Sequence, residues 1–368
     1  MTDAKFQVPA GLYASTRFFG ATAGLWRRLG NLESAVLRDD IEATPIDRPL
    51  YVTGLARSGT TIVTEMLSQH PLTTSHRYCD FPPVYTPYWR NYLRDRAQVA
   101  TPKPVERAHK DRIMVTNDSP EAVEEVLWMQ FFDHLHDPSV TNALVPDQRN
   151  AAFDDFYRDH IRKLLLVRKA RRYLTKGNYN ISRIRYILDL FPDARFVIPV
   201  RKPVNHIASL AKQHRFFCEG QTVNPKMRTQ LGASGHFEFG LDRTAIHFGD
   251  DQVATKIKQA WEQGQEALGW GLYWSSVYRY VLELVESDPA IKNACLIVRY
   301  EDLCAHPADE IDRIIAHCDL PADQFTDVRQ HYVDTLSEPD YYKPAFDENE
   351  LKILADTTET VAKQLGYR

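Results

Sequence analysis

A short apolar run, a glycine-bearing turn and a helix-forming segment follow one another directly at Tyr51-Val52-Thr53-Gly54-Leu55-Ala56-Arg57-Ser58-Gly59-Thr60-Thr61 and the IVTEMLSQH that comes next. That order predicts a strand, a tight loop and a helix N-terminus. The free N–H groups of such a terminus point outward, and its dipole favours negative charge, so the segment is an anion site before anything else is known. Gly59 lets the backbone approach a ligand, while Ser58, Thr60 and Thr61 add hydroxyl donors.

The spacing Gly54-x-x-x-x-Gly59 mimics the nucleotide-binding P-loop, but Thr60 stands where that motif carries lysine. The cation lies earlier, at Arg57, which suits one cradled phosphate-like group better than a triphosphate. Elsewhere, short apolar runs alternate with helical periodicity, predicting an α/β fold: a P-loop-like parallel sheet flanked by helices on both faces. Strands are expected at Pro49–Gly54, Arg172–Lys176, Arg195–Val200 and Ala294–Arg299. Helices are expected from Asp118-Ser119-Pro120 (with Val123, Val126, Leu127, Phe131 and Leu135 as its stripe), over Asp251–Ser287, after His306-Pro307, and from the capping-box pattern Asp347-x-x-Glu350. Residues 1–48 read as a helical extension packed on the core and 49–368 as one α/β domain. Insertions at about 82–116 and 213–250 read as loops, lids or acceptor-binding segments or else surface decoration, with few periodic apolar positions in the second.

Charge narrows the partners. Lys and Arg number 45 against 49 Asp and Glu, a net charge of −4. A general nucleic-acid binder needs a broad basic surface, so no nucleic acid is expected, although a small anion in a local basic pocket is. The five cysteines are scattered without a CxxC pair, which predicts no zinc site and a reducing, cytoplasmic setting. The start, MTDAKFQVPA, lacks the basic and apolar regions of a secretory signal. Phe18–Leu29 is too short and too charged to span a bilayer, and ordinary packing on the body of the protein is expected over an interfacial helix.

With the loop Arg57–Thr61 and the closing pair His70-Pro71, the sequence resembles the sulfotransferases that use 3′-phosphoadenosine-5′-phosphosulfate (PAPS). Phe191-Pro192-Asp193-Ala194-Arg195-Phe196, Val298-Arg299-Tyr300-Glu301-Asp302-Leu303 and Leu365-Gly366-Tyr367 extend the likeness over about residues 49 to 367. It is nearest the bacterial and Golgi-type group, since the RKGxxGDW segment of the animal cytosolic enzymes is absent. The resemblance implies that Arg57, Ser58, Gly59, Thr60 and Thr61 hold the 5′-phosphosulfate. It likewise implies that Arg201 and Ser209, after the strand Arg195–Val200, hold the 3′-phosphate. Lys343, in Tyr341-Tyr342-Lys343-Pro344, is a further possible donor contact.

The family's reaction is in-line transfer of a sulfuryl group to a hydroxyl or amine, without a metal. It needs a cation on the bridging oxygen and a base for the acceptor's proton. Arg57 and Lys176 are the expected cations. The histidine that cytosolic relatives carry two residues after that lysine is here Asn178, which accepts no proton. Asp80 and His76, after the His-Pro pair, lead as the base; Glu121, Glu124 and Glu125 are the alternative. The acceptor is a carbohydrate, a lipid or a small metabolite, with aromatics such as Tyr78, Phe81 and Phe217 either lining its cleft or in the core. Rival readings are a P-loop small-molecule kinase, with Glu301-Asp302 as its metal-binding acids, and a nucleotide-binding protein with a dead transfer site.

Overall fold

The computed structural model describes residues 6–97, 104–106, 114–338 and 344–367. Its strands are β1 (Leu50–Val52), β2 (Thr73–Thr74), β3 (Val105–Glu106), β4 (Met114–Val115), β5 (Arg172–Lys176), β6 (Arg195–Val200) and β7 (Cys295–Arg299). β3 and β4 form an antiparallel pair of their own. The others lie side by side in the order β2-β5-β1-β6-β7, all parallel. Leu50 sits beside both Leu174 and Arg195, and Val52 beside Lys176 and Val197. β1 is thus central, and the crevice above its C-terminal end is where sheets of this kind take ligands.

Helices cover both faces. α1 (Ala10–Ala21), α2 (Ala23–Val36) and α3 (Arg38–Glu42) precede the sheet, and α4 (Thr60–Ser68) joins β1 to β2. α5 (Pro87–Arg96), α6 (Glu125–Trp128) and α7 (Ala151–Arg168) come before β5, and α8 (Ile184–Leu190) links it to β6. α9 (Pro203–Val223), α10 (Pro225–Ala233), α11 (Asp251–Glu262), α12 (Glu266–Ser287) and α13 (Pro289–Ala294) lead to β7. α14 (Tyr300–Ala305), α15 (Pro307–His317), α16 (Thr326–Thr335) and α17 (Glu348–Gln364) follow it.

Because side chains alternate along a strand, each strand feeds two cores. Tyr51, Tyr173, Phe196 and Ile198 pack with Tyr157 and Leu164 of α7 and with Trp274 and Val277 of α12. Leu50, Val52, Leu174 and Val197 pack on the other side with Val63 and Met66 of α4 and with Ile311 and Ile314 of α15. Burial on both faces explains why these strands read as apolar runs rather than alternating ones. His70-Pro71 turns the chain from α4 into β2: His70 Nδ1 accepts the N–H of Leu72 at 3.1 Å, and its Nε2 lies 3.1 Å from the Pro321 carbonyl.

Four expectations change. The helix predicted from Asp118 shrinks to the single turn α6. Its stripe is still buried at Val123, Val126, Leu127 and Leu135, but Glu124 and Glu125 are drawn inward to buried partners, which breaks the helical course. Asp251–Ser287 is two helices, because Gly264 takes a left-handed φ of 71° and turns α11 back against α12. Gln213–Asp250 is not all loop: α9 continues to Val223 with Gln213, Phe217 and Gln221 on its buried face. Asn224 then caps α10, accepting the N–H of Lys226 at 3.2 Å. Within 82–116, Pro87–Arg96 is helical. The capping box at Asp347 and Glu350 forms as expected, with reciprocal bonds of 3.0 and 2.8 Å.

Candidate functional site

β1 ends in a loop clamped to its neighbours: Thr53 N–H donates to the Val197 carbonyl at 3.0 Å, and Thr53 Oγ1 donates to that of Gly177 at 2.8 Å. The loop then turns sharply, with positive φ at Gly54, Arg57 and Gly59. Gly59 is the N-cap of α4 at φ 109°, and a Cβ there would stand 2.7 Å from Tyr300 Cδ2. Only glycine fits between that ring and the helix start. The first backbone bond of α4 runs from Val63 N–H to the Gly59 carbonyl at 3.2 Å. The N–H groups of the first turn therefore have no acceptor inside the helix and face the crevice. Thr60 and Thr61 line that crevice. Ser58 is fully buried in the loop, its hydroxyl without a hydrogen-bond partner and 3.3 Å from where a Gly54 Cβ would stand.

Cations converge on this terminus from three strands. Arg57 Nε donates to Ser209 Oγ at 3.2 Å, tying the loop to α9. Lys176, at the end of β5, places Nζ 3.3 Å from Thr61 Oγ1. Arg201, at the end of β6, lies with its guanidinium 5.4 Å from the Tyr300 ring, the same ring that packs on Gly59. Behind them, Glu301 accepts the Lys202 N–H at 2.8 Å and the Tyr367 hydroxyl at 2.8 Å, while Asp302 pairs with Arg299 at 2.6 Å. The acids that could imitate a kinase's metal ligands are thus committed to bracing the turn. Lys343 lies outside the described residues.

A cleft of about 580 Å³ opens beside Arg57, Thr60, Thr61 and Lys176. Its polar wall carries Glu121, Asn178, His236 and Glu238; Leu12, Phe81, Val123, Phe217, Leu231 and Phe239 make the rest largely apolar. Burial pushes the Glu121 carboxyl up, but the charge of Lys176 and a hydrogen bond from Tyr78 outweigh it and hold Glu121 below the ordinary carboxylate range. Asn178 Nδ2 donates to Glu238 Oε1 at 2.9 Å, and Asn178 Oδ1 is buried without a hydrogen-bond partner. His236 Nδ1 lies 3.6 Å from Glu238 Oε2. Burial alone would lower its pKa; the bond and charge of Glu238, with Glu121 beyond, raise it instead.

The two leading base residues lie elsewhere. Asp80 is 3% exposed and is held by Arg168 NH2 at 2.7 Å, by the Arg77 N–H at 2.8 Å and by Asn91 Nδ2 at 3.3 Å. His76 is 2% exposed, with Nε2 3.1 Å from His160 Nε2 and Nδ1 3.6 Å from Asp80. Neither lines the cleft, so the geometry corrects that expectation: both are sealed into the protein behind it. Burial would raise the Asp80 pKa, but His76 and Arg168 hold it far below the usual range. Glu124 is also internal, accepting from Trp128 Nε1 at 2.9 Å and from the Tyr173 hydroxyl at 2.5 Å. Glu125 is clasped by Arg183 through bonds of 2.8 and 2.6 Å, with His136 at 2.8 Å. Of the five acid–base expectations, Glu121 and Glu125 line the open cleft; Arg183 and His136 occupy the Glu125 carboxylate, whereas Glu121 stands beside Lys176.

His236 and Glu238 went unread in the sequence, and Tyr300 was read only as part of the string Val298–Leu303. The alternation His236-x-Glu238 carried a signal, since residues two apart on extended chain share a side.

Residues 49–247 match the profile of the Sulfotransferase family. Among solved structures, the sulfotransferase STF9 of Mycobacterium avium overlaps with a TM-score of 0.54 at 14% identity, covering 91% of this chain and 82% of that one. The sulfotransferase STF1 of Mycobacterium tuberculosis H37Rv aligns over 98% of this chain and 88% of its own at 16% identity, with a TM-score of 0.49. The likeness to STF9 is one of fold. No curated protein matches the sequence.

Proposed function

The chain belongs to the sulfotransferase family, and from that premise we propose that it takes the sulfuryl group from PAPS and passes it in line to a hydroxyl on a largely apolar acceptor. The observation that carries the reading is the meeting, in one cleft, of the α4 N-terminus, Lys176 and Glu121. The residues fit the donor's phosphosulfate: the Gly59 position leaves no room for a side chain, and the first-turn N–H groups face the crevice. Bound there, the donor supplies a sulfur to which the acceptor oxygen bonds as the bond to the 5′-phosphate oxygen breaks.

Each residue then has a definite task. Thr60, Thr61 and the backbone of Gly59 hold the phosphosulfate oxygens. Arg57 and Lys176 stabilise charge as it gathers on the leaving and equatorial oxygens. Arg201 and Ser209 hold the 3′-phosphate. Glu121, kept ionised by Lys176, takes the proton of the acceptor hydroxyl. His236, which Glu238 keeps basic, donates to the acceptor oxygen, and the unpaired Asn178 Oδ1 accepts from a neighbouring acceptor hydroxyl. Phe81, Phe217, Leu231 and Phe239 favour an acceptor whose reactive hydroxyl sits on an apolar body.

Residues 49–368 make up the transferring domain in this reading, with 1–48 as a helical extension. All five cysteines are free thiols, which fits a reducing, cytoplasmic setting. Among the described residues, no helix is long and apolar enough to cross a membrane.

Calorimetry with 3′-phosphoadenosine-5′-phosphate, AMP and ATP tests the donor. We expect micromolar-range binding that requires the 3′-phosphate, and Arg201→Ala should erase the preference over AMP. Equal affinity for all three would refute the roles of Arg201 and Ser209 and return the kinase reading to the front.

A further inference from the structure

α1 and α2 meet at Thr22, whose φ of −112° and ψ of 19° leave the helical course; its N–H closes α1 on the Phe18 carbonyl and its carbonyl accepts the Trp26 N–H of α2, both at 3.1 Å. One side of the pair is buried through Thr16, Ala23, Gly30, Glu33 and Ser34. It is pinned to α7 by Glu33 and Lys163, 3.0 Å apart and both sealed from water. The opposite side is apolar and open. Phe18, Leu25 and Leu32 recur at intervals of seven and stand 56%, 55% and 52% exposed, and Val36 ends the row at 65%. A seven-residue spacing drifts only about 20° per repeat on an α-helix, so Leu25, Leu32 and Val36 share one stripe of α2, with Phe18 exposed on α1 before it. The α2 stripe, from Leu25 to Val36, extends about 16 Å along the helix. An aligned apolar row of that length marks an interaction surface, whereas single exposed leucines do not.

Its charge identifies the partner. Between residues 6 and 38 the cations are Arg17, Arg27, Arg28 and Arg38, and the one acid, Glu33, is buried against Lys163. Asp133 lies near Arg27, and Asp39 and Asp40 come only after the stripe has ended. Arg17 and Arg28 are exposed beside the row. An apolar stripe with flanking arginines is what a helix lying in an anionic bilayer surface presents. A second copy of the chain would set these arginines against one another, a like-charge contact. Leu12, exposed on α1, also lines the transfer cleft.

We propose that the outer face of α1 and α2 docks the protein on an anionic lipid bilayer, with the cleft opening at the lipid surface. Only the significance of the cleft rests on the proposed function; docking is read without donor or acceptor. The test floats the full chain with vesicles of phosphatidylcholine, or of phosphatidylcholine and phosphatidylglycerol in equal parts. The chain should rise with the mixed vesicles, and less so as salt is added. Combined Phe18→Ser, Leu25→Ser and Leu32→Ser should lower partitioning at least about ten-fold. Arg17→Gln and Arg28→Gln should each lower it about five-fold, on mixed vesicles only. Because these side chains point to solvent, melting temperature and binding of 3′-phosphoadenosine-5′-phosphate should be unchanged, which separates lost docking from lost folding. A chain that ignores both vesicles, or variants that float like the parent, would overturn the proposal. So would light scattering that shows a dimer dissolved by the serine variant, for a second copy would then own the stripe. A chain that floats yet transfers nothing would uphold docking and defeat only the transfer reading.

Discussion

Two clusters of carboxylate and imidazole lie back to back in this protein, joined where the Glu121 N–H donates to the His76 carbonyl at 2.9 Å. Behind the joint, Asp80, His76 and His160 are closed off with Arg168, and every oxygen of Asp80 has a partner. In front of it, Glu121, His236 and Glu238 share an open cleft with Lys176. The chemical groups are nearly the same, but the consequences differ. A carboxylate saturated with donors and removed from solvent has no capacity left for a substrate proton, and its removal is felt as lost stability. A carboxylate facing a cavity beside one cation keeps that capacity.

The comparison breaks most readily at Glu121. Glu121→Gln should lower kcat about a thousand-fold with melting and donor affinity unchanged, and kcat near the parent's would move the base elsewhere. Asp80→Asn should do the reverse. Stripping the charge from a buried pair costs about 3 to 5 kcal/mol, seen as a lower urea midpoint, while the protein still folded should turn over at the parent's rate. Full stability with lost turnover would merge the two clusters into one site. Gly59→Ala comes next. The clash with Tyr300 and the left-handed φ should weaken binding of 3′-phosphoadenosine-5′-phosphate about ten-fold or more by calorimetry.

Titration sharpens the same contrast. Asp80 has a depressed folded-state pKa, so its stabilisation is complete above its unfolded value near 3.8 and is lost as pH falls through the lower folded value. Acid unfolding of the parent should therefore retain a component that Asp80→Asn lacks. Glu121 is also depressed, so transfer should persist in acid down past the ordinary glutamate value of 4.5 before it falls. His236 has a raised pKa. Its donor proton is present below 6.5 and is lost only as pH rises through the higher folded value, where the acceptor KM should climb. The smallest effect belongs to His236→Gln, which should raise the acceptor KM about five-fold with kcat nearly kept and remove that alkaline rise. An alkaline limb that survives the substitution would assign it to another group.

Much of the frame was legible because its signals are local. β5 and β6 appear at the predicted residues, and β7 differs by one, since short apolar runs ending in polar residues need only a few neighbours to be recognised. The loop from Gly54 to Thr61 is likewise a continuous string whose conformation follows from its glycines and the helix it opens. The helical misreadings have equally particular causes. Gly264 was visible as a breaker inside Asp251–Ser287, whereas the inward pull of Arg183 on Glu125 was not, because fifty-eight residues separate them. The outer stripe of α1 and α2 was hidden for a similar reason: periodicity shows which residues are apolar, and only packing on α7 shows which of them are left outside.

Ranking Asp80 above Glu121 followed from its place after the His-Pro pair, by resemblance to the family, and place in sequence says nothing about which side of a segment is closed. Arg168 from α7 and His160 close one side; Lys176 from β5 and His236 from beyond α10 shape the other. The sequence by itself determined the parallel α/β frame and the anion-binding turn at its centre, because both arise from hydrogen bonds and side-chain spacing within short segments. Which carboxylate meets the cleft was decided only by the tertiary structure. A carboxylate's proton affinity depends on the charges and the water around it, and here those come from segments far apart in the chain.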